Sequence, residues 1–133
     1  VMSLAPAEDT LVPINILGVV DPVGETPVIS ITRILQDEAT DTSDPLWAID
    51  GAGIGTPTAL VRAERITQKK LNGDGRVYEI RFTARDAAAA SCDGVVFVSV
   101  PKNKTESAVD RGERYDSTVP TPAPATLAKG VIF

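Results

Sequence analysis

The sequence predicts an all-β sandwich of six or seven short antiparallel strands. Apolar residues recur with a dominant period of two, which is typical of strands with one buried face. Turn-forming residues separate these runs, and ten glycines and ten prolines among 133 residues favour short elements joined by turns. The one run of good helix formers, residues 87–90, is too short for a stable helix. We therefore interpret it as the tip of a hairpin loop within a single domain.

The first two long strands are predicted from their alternation. Residues 10–20 place apolar side chains at every second position before a turn signal begins at Asp21. Residues 27–36 begin in the same way with Ile29 and Ile31. The phase then breaks at Arg33, because two apolar residues follow it directly. This break predicts a β-bulge or a local twist.

The later strands are separated by glycine-rich turns. Residues 59–66 alternate with Val61 and Ala63 inward, and residues 76–86 alternate strictly from Tyr78 to Ala84. The predicted strands are residues 10–20, 27–36, 46–50, 59–66, 76–86 and 94–100, with a possible edge strand in residues 2–6.

The composition excludes several function classes. The chain has no histidine and one cysteine, so it cannot form a Ser-His-Asp triad, a Cys-His dyad, a His/Cys zinc site or an internal disulfide. Its net charge of −5 argues against nucleic acid or an anionic membrane as a partner. No apolar run is long enough to insert into a membrane as a helix, and no signal-peptide pattern stands at the start.

Two stretches resemble the last two strands of a known type of module. Residues 75–86 read GRVYEIRFTARD and residues 92–101 read CDGVVFVSVP. They are similar to the Ig-like repeats (cadherin-like, HYR-like or fibronectin-III-like) of bacterial secreted and cell-surface proteins. The likeness covers roughly residues 8–117. It departs from those repeats in the loop at residues 86–91, where they often have a Gly-Asn turn.

The resemblance implies an Ig-like antiparallel sandwich over residues 1–118, in an extracellular or cell-surface protein. In this fold Tyr78 begins the sixth strand, where a corner tyrosine would bury its ring and bond its hydroxyl to nearby backbone. The alternative is that Tyr78 is an ordinary core aromatic. The alternation also directs Phe82 into the core.

Calcium is the metal that the composition favours, because it prefers oxygen ligands. The second and sixth strands of an Ig-like sandwich run in the same direction, so Asp21 and Asp86 at their ends should meet at one end of the fold. Asp37 and Glu38, at the opposite end, are the second choice. The alternative is that these carboxylates are solvated or cap turns. The cofactor prediction is therefore none, or Ca²⁺.

Arg62 and Arg65 lie at the end of the fifth predicted strand, near the end that holds Asp37 and Glu38. A guanidinium can bind a carboxylate through two parallel hydrogen bonds. We interpret these arginines as structural ion-pair partners in preference to a binding site.

The C-terminal segment has no counterpart in the module. Residues 119–126 alternate proline with small residues, and eight extended residues span roughly 25 Å. Apolar residues follow, and they could add as a strand to the sheet edge of a neighbour or of their own domain. The candidate interaction residues are Leu127, Val131, Ile132 and Phe133.

Two functional hypotheses remain. The first is a non-catalytic structural or adhesive module whose partners are other protein domains or copies of itself. The second is a carbohydrate-binding or calcium-dependent ligand-binding module attached to a secreted enzyme or a surface protein. The low aromatic content of 5% favours the first, because sugar binding usually uses exposed aromatic platforms.

Overall fold

The computed structural model describes residues 2–3, 11–38, 49–63, 75–101, 108–110, 112 and 115–119. Within them the chain forms two sheets that face each other across one core, so the predicted all-β sandwich is confirmed. The strands are β1 (Met2–Ser3), β2 (Leu11–Asn15), β3 (Val28–Gln36), β4 (Gly51–Ala52), β5 (Thr58–Arg62), β6 (Arg76–Arg85), β7 (Ser91–Val100) and β8 (Tyr115–Asp116).

The strand order is that of an Ig-like sandwich. The larger sheet has the order β1-β7-β6-β3-β8, and its three long strands correspond to the C, F and G strands of Ig domains. The smaller sheet has the order β2-β5-β4, which corresponds to B, E and D. All pairs are antiparallel except β1 with β7, where Met2 lies beside Val98 in a parallel pair.

Several predicted strand boundaries were wrong. The strand expected over residues 10–20 ends at Asn15, because the chain then leaves the smaller sheet. Residues 49 and 50 of the expected strand 46–50 are not extended in a sheet, and the strand lies at Gly51–Ala52 instead. β7 begins three residues before the predicted start, because the hairpin to β6 is tight. β8 was not predicted at all.

The bulge predicted at Arg33 is confirmed. The register of β3 against β6 shifts between Ile31, which pairs with Phe82, and Arg33, which pairs with Arg81. The shift restores Ile34 to the buried face after the break in alternation. β3 therefore contributes apolar side chains to the core along its whole length.

The core lies between the inward faces of β3, β6 and β7 and the smaller sheet. Phe82 is buried there, and its ring lies beneath Gly94 on the neighbouring strand. A Cβ atom on Gly94 would stand 2.4 Å from the Phe82 ring. Only glycine leaves room for this aromatic side chain. The other buried residues packed together in this core are Ile14, Ile31, Ile34, Ala59, Val61, Ala63, Tyr78, Ile80, Ala84, Val98 and Val100.

One side of the sandwich is closed by backbone hydrogen bonds between the sheets, and we call it the closed side. The Ser117 amide donates to the Ile34 carbonyl in the larger sheet. The Ser117 carbonyl accepts from the amides of Asp50 and Gly51, beside the smaller sheet. Further along β3, Ile31 exchanges hydrogen bonds with the loop that joins β4 to β5. The outer edge of β3 is thus occupied at Ile31 and from Ile34 to Gln36.

The opposite side is formed by the outer edges of β2 and β7, and we call it the open side. Among the described residues, β2 has a neighbour on one edge only, and the outer edge of β7 is paired only at Val98 and Ser99. No helix of the described residues is long and apolar enough to cross a membrane.

Candidate functional site

A cluster of charged and polar side chains is buried at the end of the sandwich where β6 begins. Arg76 occupies an inward position of β6 and has no exposed surface. Its Nε atom donates to Glu38 Oε1 at 2.9 Å, and its Nη1 atom donates to Asp50 Oδ2 at 3.0 Å. We call Arg76 and the buried polar side chains around it the ionic cluster: Gln36, Asp37, Glu38, Asp50, Arg62, Arg76 and Tyr78.

Asp50 joins the two sheets within this cluster. Its Oδ2 atom also accepts a hydrogen bond from Gln36 Nε2 at 3.0 Å, and its Oδ1 atom lies 3.3 Å from Arg62 Nε. Arg62 Nη2 donates in turn to the Ile49 carbonyl at 2.8 Å. Asp50 therefore binds Arg76 and Gln36 of the larger sheet and Arg62 of the smaller one.

Tyr78 connects the cluster to the backbone. Its ring is fully buried, its hydroxyl donates to the Arg62 carbonyl at 2.8 Å, and the hydroxyl oxygen accepts from Arg76 Nη1 at 3.0 Å. This places the hydroxyl where the corner-tyrosine interpretation expects it, on backbone at the end of the preceding strand.

Asp37 binds the backbone of β6. Its Oδ1 atom accepts from the Val77 amide at 2.8 Å, and its own amide donates to the Val77 carbonyl. It thus continues the pairing of β3 with β6 beyond the last residue of β3.

The charges in the cluster stabilise one another. Burial alone lowers the pKa of Arg76, but the interactions with Tyr78, Asp50 and Glu38 outweigh it and raise that pKa above its ordinary value. The guanidinium therefore stays charged, as an arginine side chain does across the ordinary pH range. Burying such a set adds little net stability, whereas removal of one member leaves an unpaired charge in the core.

The sequence predicted part of this cluster. Arg62 lies at the expected end, together with Asp37 and Glu38, and its ion pair is with Asp50. Arg65 lies outside the described residues. Sequence reasoning missed Arg76 and Asp50. The alternation of β6 could have identified Arg76, because it lies an even number of residues from Tyr78 and Phe82 and so shares their inward face. No pattern in the sequence around Asp50 indicated that its side chain is buried.

The opposite end of the sandwich is apolar, and we call it the apolar end. It is formed by the loop of residues 16–27 and the hairpin turn of residues 86–90, which together line a cleft of about 200 Å³. Large apolar side chains stand exposed around it, including Val20 at 65% and Val23 at 78%.

Asp21 and Asp86 both line this cleft, so the structure brings them to the same end. Each caps its own loop. Asp21 Oδ1 accepts from the amides of Val23 and Glu25, and Asp86 Oδ1 accepts from the amides of Ala88 and Ala90. Among the described residues, no group of three or more metal-ligating side chains comes together. Calcium binding stays a prediction for both carboxylate pairs.

A groove follows the open side between the two sheets. It has a volume of about 370 Å³ and is lined by residues 14–17, at the end of β2 and just beyond it, and by residues 95–98 of β7. Its surface is mostly aliphatic, and Leu17, one of its lining residues, is 86% exposed. Strand edges border it on both sides, so a peptide lying in it could find both apolar contacts and backbone hydrogen bonds.

The predicted C-terminal interaction residues Leu127, Val131, Ile132 and Phe133 lie outside the described residues. No protein-family model matches the chain, and no curated protein or solved structure matches it either. Its function therefore has to be argued from its own geometry.

Proposed function

We propose that this protein is a non-catalytic structural or adhesive module of a secreted or cell-surface protein. It acts through protein–protein contacts with other domains or with copies of itself. The observation that carries the proposal is the unequal protection of the two sides. Backbone bonds occupy the outer edge of β3 at Ile31 and from Ile34 to Gln36, whereas the described edges of β2 and β7 border an apolar groove.

An unprotected strand edge is a template for pairing with another chain. Soluble domains usually block such edges with charge, proline or a covering loop. Pro13 lies on β2, but the described part of β7 from Ser91 to Phe97 has no proline and a single charge, on Asp93. The open side therefore favours contact by strand addition, and the apolar residues 127–133 are suited to make it.

The experiment is deletion of residues 127–133 from the full chain. Sedimentation velocity across a range of concentrations should show assembly of the full chain and a monomer after deletion. The melting temperature measured at low concentration should stay the same. A chain that remains monomeric at all concentrations, with or without the segment, would refute self-assembly.

A second candidate function is calcium-dependent or carbohydrate ligand binding at the apolar end. The observation in its favour is that Asp21 and Asp86 line one cleft. Each caps its loop through Oδ1, and a calcium ion requires six to eight oxygen ligands, so loop carbonyls would have to supply most of them. Calorimetric titration with calcium tests this function, since it predicts heat that disappears in Asp86→Ala.

A further inference from the structure

We infer that the groove on the open side is the acceptor for residues 127–133 of a second copy of this chain. The copies thereby assemble head to tail. This inference rests on the proposed function and names the partner of its contact surface. It makes the groove and the C-terminal segment two halves of one joint.

The acceptor has the chemistry of an edge that can pair with a further strand. Among the described residues, β1 covers only Val98 and Ser99 on the outer edge of β7, and no described strand covers Ser91–Phe97. The segment 127–133 offers apolar side chains for such a strand, among them Leu127, Val131, Ile132 and Phe133. An added strand at this edge would lie in line with β1 and extend the larger sheet.

The groove supplies specificity in addition to backbone pairing. Side chains of an added strand alternate between its two faces, so every second one would enter the space between the sheets. That space is lined by Ile14, Ile16 and Leu17 on one wall and by Val96 and Val98 on the other. β-branched and aromatic side chains such as Val131 and Phe133 suit this environment.

The topology favours a second copy over the chain's own groove. The described chain ends with β8 and the turn after it, at the edge of the larger sheet opposite to β7. Four strand intervals separate β8 from an added strand, which is about 19 Å at about 4.8 Å per interval. The spacer of residues 119–126 spans roughly 25 Å. Reaching its own groove would use most of that length to cross the face of the sheet.

A donor at one edge and an acceptor at the opposite edge make a heterologous contact. Such a contact does not pair two copies back to back, and where it does not close into a ring it leaves one free donor and one free acceptor at the ends of the assembly. We therefore expect linear oligomers whose length rises with concentration.

The test uses two full-length variants that each disable one half of the joint. Leu17→Asp places a charge in the groove at a side chain that is 86% exposed, so the fold should tolerate it. Ile132→Asp places a charge in the segment. Each variant alone should sediment as a monomer. An equimolar mixture should give a species of twice the monomer mass and nothing larger, because only one intact donor meets one intact acceptor.

The matched control is Val20→Asp, which changes an exposed valine of the apolar end outside the groove. It should assemble like the unchanged chain. Thermal unfolding of all three variants shows whether they fold. Amide hydrogen exchange gives a second measurement on the unchanged chain, in which outward amides among Val95, Val96 and Phe97 should exchange more slowly in the assembly than in monomeric Ile132→Asp.

Each contrary result overturns a different statement. If Leu17→Asp assembles normally while Ile132→Asp does not, or if β7 gains no protection, the groove is the wrong acceptor and the proposed contact function stands. A mixture that stays monomeric overturns the head-to-tail joint. Monomeric behaviour of the unchanged chain at high concentration overturns both the joint and self-assembly.

Discussion

The two ends of the sandwich are stabilised by different kinds of interaction. At one end the ionic cluster buries Arg76 and Asp50 almost completely and joins them by an ion pair and hydrogen bonds between the sheets. At the other end the loops expose valines around a cleft, and their carboxylates bind only the backbone of their own loops. At the end where β6 begins, buried polar side chains therefore cover the core, in place of apolar ones.

The difference has an energetic consequence. Polar groups buried at the ionic cluster depend on one another, so the loss of one partner leaves others unsatisfied in a dry environment. Side chains at the apolar end are near water and can exchange a lost hydrogen bond for a solvent one. Substitutions of similar size should therefore cost far more stability at the ionic cluster than in the loops of the apolar end.

The largest effect is expected for Arg76→Met. It removes the buried cation that pairs with Glu38 Oε1 and with Asp50 Oδ2, so the free energy of unfolding should fall by about 5 kcal/mol, the upper end for breaking a buried ion pair. The measurement is urea denaturation. Arg81→Met on the same strand is the control, because Arg81 is 48% exposed in its pair with Glu79 and should cost less than about 1 kcal/mol. Equal losses of unfolding free energy in Arg76→Met and Arg81→Met would contradict the distinction between buried and exposed ion pairs.

Phe82→Ala tests packing in the half of the core nearer the apolar end. The change leaves a cavity beneath Gly94, and we expect a loss of about 3–4 kcal/mol in the free energy of unfolding. Val23→Ala, at a valine 78% exposed in the loop, should change stability by less than about 0.5 kcal/mol. A loss below about 1 kcal/mol for Phe82→Ala would show that the ring is not packed in the core.

Tyr78→Phe isolates one hydroxyl of the ionic cluster. It keeps the buried ring but removes the donor to the Arg62 carbonyl and the acceptor for Arg76, so it should cost about 1–3 kcal/mol. The double change Tyr78→Phe with Arg76→Met should cost less than the sum of the single changes, because the two groups share a hydrogen bond. If the losses of unfolding free energy in the two single variants add up to the loss in the double variant, the Tyr78 hydroxyl and the Arg76 guanidinium act independently.

The smallest effects are expected for Asp21→Ala and Asp86→Ala at the apolar end. Each removes two exposed hydrogen bonds to loop amides, and each should lower the free energy of unfolding by about 0.5–1 kcal/mol. Thermal unfolding with calcium and with chelator distinguishes capping from metal binding. Equal melting temperatures in both conditions would support capping alone, and a calcium-dependent rise that Asp86→Ala abolishes would assign the ion to this cleft.

The amino-acid sequence determined the fold class and most of the core. Alternation with a period of two is a local property, and it was sufficient to place Phe82 and Ile80 inward and to locate the bulge before Arg33. The same alternation extends back to Arg76, but sequence reasoning missed this residue because an arginine is rarely fully buried. Strand ends were less predictable, because they depend on where a neighbouring strand stops, as at Asn15.

Only the tertiary structure decided which polar groups meet. Glu38, Asp50 and Arg76 are far apart in the chain, and each alone is indistinguishable from a solvated surface residue. Asp21 and Asp86 were correctly expected at one end from strand direction, but their capping bonds depend on loop geometry that no periodicity encodes. β8 and the bridge through Ser117 exist because Ile34 and Asp50 present free backbone groups to the returning chain. A pattern along the chain specifies which face of a strand is buried, whereas a site requires contacts between strands that only folding brings together.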